Sequence, residues 1–190
     1  MALIAAAGAG VLWAGALPAW WKALPRTSRM ECTFVQESES AVFGKLRKEG
    51  TLKLAQGGKL HVAYTKGMLL IADGRNLVQY DPIAMTAQRM DLRSAAAEMP
   101  LLNILVDPGA LDTSYEAKAE DEGKVLLEPR RRNLPKVMLE GKDGMLWRIT
   151  WTDGTGAKQV LELKNPQIPK VDFPATTFVF RAPVGTRWIG

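Results

Sequence analysis

The 190-residue chain contains one cysteine and one histidine. A lone cysteine makes neither an internal disulfide nor a Cys-based zinc site, and a lone histidine excludes multi-histidine metal centres. No serine lies in a G-x-S-x-G context, so a serine triad has no seat. Gly154-x-Gly156 lacks the strand-to-helix setting of a phosphate loop, and no internal repeat of about 20–50 residues suggests a solenoid. No cofactor and no metal are expected. The first charged residue is Lys22. Ahead of it, residues 3–17 (LIAAAGAGVLWAGAL) form a small-residue apolar run that includes Ala14-Gly15-Ala16, an A-x-A cleavage pattern. Residues 1–16 therefore read as a secretory signal too short for a membrane span, leaving 17–190 as one domain.

What is present is an ordinary globular composition, 47% hydrophobic and 24% charged, with a formal net charge of +5. The excess is local. Nine basic residues against four acidic ones lie between Lys22 and Lys66, and the rest of the chain balances. Such a face suits anionic phospholipid, nucleic acid or an acidic partner. Nucleic acid is disfavoured, because Arg130-Arg131-Arg132 has no adjacent aromatics on which bases could stack.

Periodicity points to a mainly β fold. AWWKAL, residues 19–24, reads as a short amphipathic helix. From Val42 to Gln56 one row holds Val42, Gly44, Leu46, Gly50, Leu52 and Leu54, with Lys48 as its one charged exception, and the other holds Lys45, Arg47, Glu49 and Lys53. That alternation describes an antiparallel strand with one wet face. The next strand carries Leu60, Val62 and Tyr64 on one row. A two-residue Gly57-Gly58 turn would put the two apolar rows on opposite faces. A three-residue loop of Gln56, Gly57 and Gly58 pairs Leu54 with Leu60 and Leu52 with Val62, and is the expectation. Asp73-Gly74 predicts a type I′ hairpin pairing Leu69 with Val78. Residues 92–106 predict one or two very apolar helices, with Pro100 opening the second and Asp107-Pro108-Gly109 ending it. Further strands are expected near 84–90, 115–120, 124–128, 136–141, 145–152, 158–164 and 177–181. Met145, Trp147, Ile149 and Trp151 should share one face, with Ile149 paired to Leu161. About eleven strands without a βαβ unit imply a single curved antiparallel sheet, an incomplete barrel.

Candidate reactive residues are few. His61 falls on the outward row, Cys32 reads as a small semi-buried strand residue, and Glu120-Asp121-Glu122 sits in a turn. An enzyme would need an unrecognised carboxylate pair, with Asp81 or Asp153 the residues to test; the chain reads as non-enzymatic.

One order of motifs is more specific. Phe34-x-Gln36, Asp73-Gly74-x-x-Leu77-x-x-Tyr80-Asp81-Pro82, Pro100-Leu101-Leu102 with Leu105, Leu127-x-Pro129, Asp153-Gly154-x-Gly156 leading to Leu161-x-Leu163-x-Asn165, and Phe178-x-Phe180 with Pro183-x-Gly185 follow one another over about Met30 to Ile189. This succession resembles the periplasmic outer-membrane lipoprotein carrier family (LolA-like). The resemblance implies an incomplete barrel under a lid of short helices and a cavity for the acyl chains of a lipoprotein or another lipid. It also implies transfer between an inner-membrane ABC exporter and an outer-membrane acceptor, a periplasmic location and a monomer. By the match, Leu52, Leu54, Leu60, Val62, Tyr64, Val78, Tyr80, Trp147 and Ile149 belong on the cavity wall. Met99, Leu101, Leu102, Ile104 and Leu105 belong to the lid. The family's lid latch is an arginine, and its place is taken here by Gln56, which lacks the planar charged fork. The alternative is an envelope interaction or sensor module, the same barrel with a filled interior, binding a protein partner or a membrane surface.

Overall fold

The computed structural model describes residues 16–24, 29–42 and 44–190. The secretory-signal reading of residues 1–16 lies, apart from Ala16, outside them. A short helix, α1 (Ala19–Ala23), precedes two long strands, β1 (Arg29–Ser40) and β2 (Gly44–Ala55). Then come β3 (Lys59–Tyr64), β4 (Leu69–Asp73), β5 (Asn76–Asp81) and β6 (Thr86–Asp91). Helices α2 (Leu92–Glu98), α3 (Pro100–Val106) and α4 (Leu111–Ser114) interrupt the sheet. It resumes with β7 (Tyr115–Ala119), β8 (Lys124–Pro129), β9 (Val137–Lys142), β10 (Met145–Thr152) and β11 (Lys158–Gln167), and the two-residue β12 (Arg187–Trp188) completes it.

These strands form one sheet in the order β12-β6-β5-β4-β3-β2-β1-β11-β10-β9-β8-β7. It is antiparallel except for the β12–β6 pairing, and it stays open, with β12 and β7 at its edges. Curvature follows from the core. Leu52, Leu60, Val125, Leu139, Ile149 and Leu161, from strands far apart in the order, share one buried cluster with Leu102 and Ile104 of α3. The sheet thus curls around α2 and α3, which fill its concave side. No helix among the described residues is long and apolar enough to cross a membrane.

Local chemistry sets the helix ends. Asp91 caps α2, its carboxylate accepting from the Ser94 amide at 2.9 Å and the Ser94 hydroxyl at 3.0 Å. Proline opens α3 at a position whose amide would have no helical partner anyway. The β2–β3 connection is the three-residue loop that the apolar rows require, with Leu54 opposite Leu60 and Leu52 opposite Val62. Ile149 lies opposite Leu161.

Three expectations need correction. The β4–β5 hairpin pairs Leu69 with Tyr80 and Ile71 with Val78, so its turn centres on Gly74-Arg75 instead of Asp73-Gly74. Asp73 draws the chain round, its carboxylate accepting from the amides of Arg75 at 2.8 Å and Asn76 at 2.7 Å. Second, 177–181 is no strand. A 3₁₀ turn covers Ala175–Phe178, and strand pairing returns only at β12. The prolines at 174 and 183 supply no ladder donors, and Phe180 packs on the sheet's outer face, 5.3 Å from the Tyr80 ring. Third, β10 carries a bulge against β9 between Leu146 and Arg148. The bulge breaks the expected alternation. Leu146 is buried beside Ile149, while Trp147 stands half-buried with the Arg148 guanidinium 4.5 Å over its ring.

Candidate functional site: two apolar hollows beside α3

An upper cavity of about 330 Å³ lies between the concave face and the helices. Its wall includes Phe34 of β1, Leu52 of β2, Leu60, Val62 and Tyr64 of β3, Leu70 of β4 and Leu77 of β5. Across the hollow, Trp151 and Leu161 come from β10 and β11, and Met99, Leu101, Leu102 and Leu105 come from the lid. Burial is graded along the lid: Leu102 is buried, Leu101 and Leu105 are half-buried, and Met99 is exposed at the lip.

Polar groups gather at one end. The Tyr64 hydroxyl donates to Gln36 Oε1 at 3.1 Å, and the Gln159 amide donates to Asp153 Oδ2 and to Ser38 Oγ, each at 2.8 Å. Gln159 is the only polar residue in the buried class among the described residues. Burial raises the Tyr64 phenol above its ordinary value, so it stays a donor. Asp153 is held below the usual carboxylate range, first by the Thr155 hydroxyl and also by Gln159 and the turn amides. These groups satisfy one another, and the remaining wall is hydrocarbon. Such a space binds an apolar ligand by displacing water and offers polar contact only at its rim.

A second, lower cavity of about 260 Å³ lies beyond α3, lined by Trp20 and Leu24, Met30, Leu54, Gln56 and Gly57, Ile104 to Gly109, and Met145.

Of the expected wall residues, the structure gathers Leu52, Leu60, Val62 and Tyr64 around the upper hollow. Leu54 lines the lower one, as does Ile104 of the lid. Ile149 is buried in the surrounding core without reaching either hollow. Val78 and Tyr80 do not belong to this wall: they pack with Ala87, Leu69 and Phe180 in a separate cluster. Leu70 and Leu77 occupy the cavity-facing positions instead. The reason is that β4 is apolar on both rows, so alternation cannot say which row faces in, and on β5 the more apolar row, Val78 and Tyr80, is the one that faces away while Leu77 shares the inward row with polar Gln79. Trp147 lines neither hollow, a consequence of the bulge. Gln56 sits exposed on the β2–β3 turn against the end of α3, and its side chain makes no hydrogen bond to the lid among the described residues. Sequence reasoning missed Phe34, Gln36, Leu70, Leu77, Gln159 and Asp153 as cavity residues. Trp151 and Leu161 could have been added, since both lie on the row that holds Ile149 or faces it.

Cys32 is buried on β1 between Phe34 and Met30, and burial pushes its thiol up to about 12. The folded state thus favours the neutral thiol. Its contribution to stability is present below the ordinary value of 9.0 and is lost as pH rises from there towards 12. At mildly alkaline pH, iodoacetamide is expected to label the native protein at least about a hundredfold more slowly than the urea-unfolded chain; equal rates would contradict this burial. His61 faces outward, half-buried near Lys53, and burial lowers its pKa.

Fold and hollow together define an open half-barrel whose apolar interior is covered by short helices. The chain matches the family described as outer membrane lipoprotein carrier protein LolA over residues 26–181 and belongs to that family. It is similar to the outer-membrane lipoprotein carrier protein of Salmonella paratyphi A, 23% identical over 189 residues, covering 97% of this chain and 92% of the relative. Among solved structures it resembles a LolA superfamily protein from Nitrosomonas europaea, with a TM-score of 0.51 and 12% identity over 87% of this chain and 99% of the other. It also resembles an uncharacterized conserved protein from Thermus thermophilus, with a TM-score of 0.56 and 9% identity over 90% and 96% of the two chains. These last two likenesses concern the fold.

Proposed function

We propose that this chain is a non-enzymatic periplasmic carrier. It encloses acyl chains of lipoproteins in the upper cavity, beneath Met99 and α3, and passes them from an inner-membrane ABC exporter to an outer-membrane acceptor. The observation that carries this reading is the apolar hollow of about 330 Å³ within a lipoprotein-carrier fold. Each methylene transferred from water to an apolar site contributes about 0.8 kcal/mol, so a long acyl chain left in water costs on the order of 10 kcal/mol and must travel enclosed. The rival reading, an interaction or sensor module with a filled barrel, has no use for that space.

A non-enzymatic role fits the polar rim. Asp153 is engaged by Thr155, Gln159 and the Ala157 amide, an arrangement that shapes the β10–β11 turn instead of presenting a free base.

Protein purified from its native envelope is expected to show bound acylated cargo by native mass spectrometry, and stripped protein is expected to take up a fluorescent fatty acid. Repeated absence of cargo together with no uptake would overturn the carrier reading.

A further inference from the structure

The upper and lower hollows lie end to end along the same strand. On β1, Gln36 and Phe34 line the upper hollow and Met30 lines the lower one, with buried Cys32 between them on the same row. From Gln36 to Met30 is six residue steps, about 20 Å at roughly 3.3 Å per residue. One leaflet of bilayer hydrocarbon, the room that a long acyl chain fills, is about 15 Å deep. The upper hollow alone takes up only part of the β1 row. On the neighbouring strands the upper wall ends at Leu60 and the lower wall begins at Leu54, directly across the ladder. Among the described residues, only Leu105 lines both hollows. It is half-buried and projects from the last turn of a seven-residue helix. A side chain there can change rotamer without disturbing the sheet.

We infer that the lower hollow is a binding site for the far end of a long acyl chain, and that Leu105 is the partition that sets how much chain the protein accepts. This rests on the carrier reading of the upper hollow. A chain enters at the polar rim, lies against Phe34 and Leu52, and, when long enough, displaces the Leu105 side chain. Its terminal methyl then reaches Met30, Leu54 and Trp20. Short chains end above Leu105 and leave the partition in place.

Two tryptophans report on the two compartments, because Trp151 lines the upper hollow and Trp20 the lower. Monoacylglycerols carrying bromine on the terminal carbon quench the nearest indole, and Trp20→Phe and Trp151→Phe variants assign the signal. A bromododecanoyl probe is expected to quench Trp151 and a bromooctadecanoyl probe to quench Trp20. Leu105→Ala is expected to raise the affinity for octadecanoyl relative to dodecanoyl probe at least tenfold. Met145→Trp, which fills the lower hollow, is expected to lower that ratio by a similar factor. If the octadecanoyl tail quenches Trp151 alone in the unaltered protein, the chain folds back within the upper hollow and the inference fails while the carrier reading stands. If neither tryptophan is quenched by either probe, both fail.

Discussion

Replacing Leu105 by aspartate is expected to lower the affinity for a fluorescent fatty acid at least a hundredfold while leaving the far-UV spectrum of the sheet unchanged. Leu105 faces hydrocarbon on both sides of α3, with Leu101 and Leu102 on the same helix and Leu60 and Leu54 on the strands below. A carboxylate there has no cation among its cavity neighbours. It must either stay against the apolar lining, at a cost of several kcal/mol, or pull the helix outwards to reach water. Either outcome removes the enclosed space, and each loss of about 1.4 kcal/mol from binding is a factor of ten in affinity. The sheet is spared because its ladder hydrogen bonds do not run through α3. Leu105→Ala serves as the steric control, since it removes bulk without adding charge and should keep or extend uptake. If Leu105→Asp protein binds the fatty acid as well as the unaltered chain, the lid assignment is wrong.

The rows of the sheet were readable wherever one face is wet. β2 and β3 alternate apart from Lys48, so the position of Leu52, Leu60, Val62 and Tyr64 and the odd loop length at Gln56-Gly57-Gly58 follow from pattern alone. Reading failed where both faces are covered. Residues 69–72 (LLIA) are apolar at every position because Leu70 faces the hollow while Ile71 is buried on the opposite face. A strand covered on both sides has no period to report. That ambiguity put Val78 and Tyr80 on the wrong wall. The same face explains the C-terminal segment. Phe178-x-Phe180 alternates like a strand, yet its work is to cover the convex side, where Phe180 meets Tyr80 and Trp188. The bulge that displaced Trp147 was invisible for a different reason: an extra residue in one strand is a property of the pair, and single-strand periodicity carries no trace of it. A cavity under the lid was expected from the resemblance, but its division into two hollows lay beyond reach, since space left between a helix and a sheet depends on how closely they pack.

The second large effect concerns Gly50, which falls on the inward row of β2 opposite Phe34 of β1 and Tyr64 of β3. Those two rings meet edge to face above it, with centroids 5.2 Å apart, and both line the upper hollow. A Cβ on residue 50 would overlap the Ala63 carbonyl oxygen and stand 2.9 Å from the Phe34 ring. The ring can turn, but the carbonyl belongs to the β3 backbone and can yield only if the ladder shifts. Glycine in a strand interior often marks such a close approach. Gly50→Ala is therefore expected to destabilise the fold by about 3 kcal/mol, in the range of overpacked cores. At roughly 2–4 °C per kcal/mol for a domain of this size, the melting temperature should fall by about 6–12 °C, measured by circular dichroism or calorimetry. Phe34→Leu added to Gly50→Ala relieves the ring contact and leaves the carbonyl contact, so it should recover less than half of the loss. Full recovery would locate the strain in the ring, and an unchanged melting temperature for Gly50→Ala alone would mean that β2 and β3 do not approach this closely. Because Phe34 and Tyr64 form the wall at this point, the same substitution should also weaken acyl-chain uptake at temperatures where the protein is still folded.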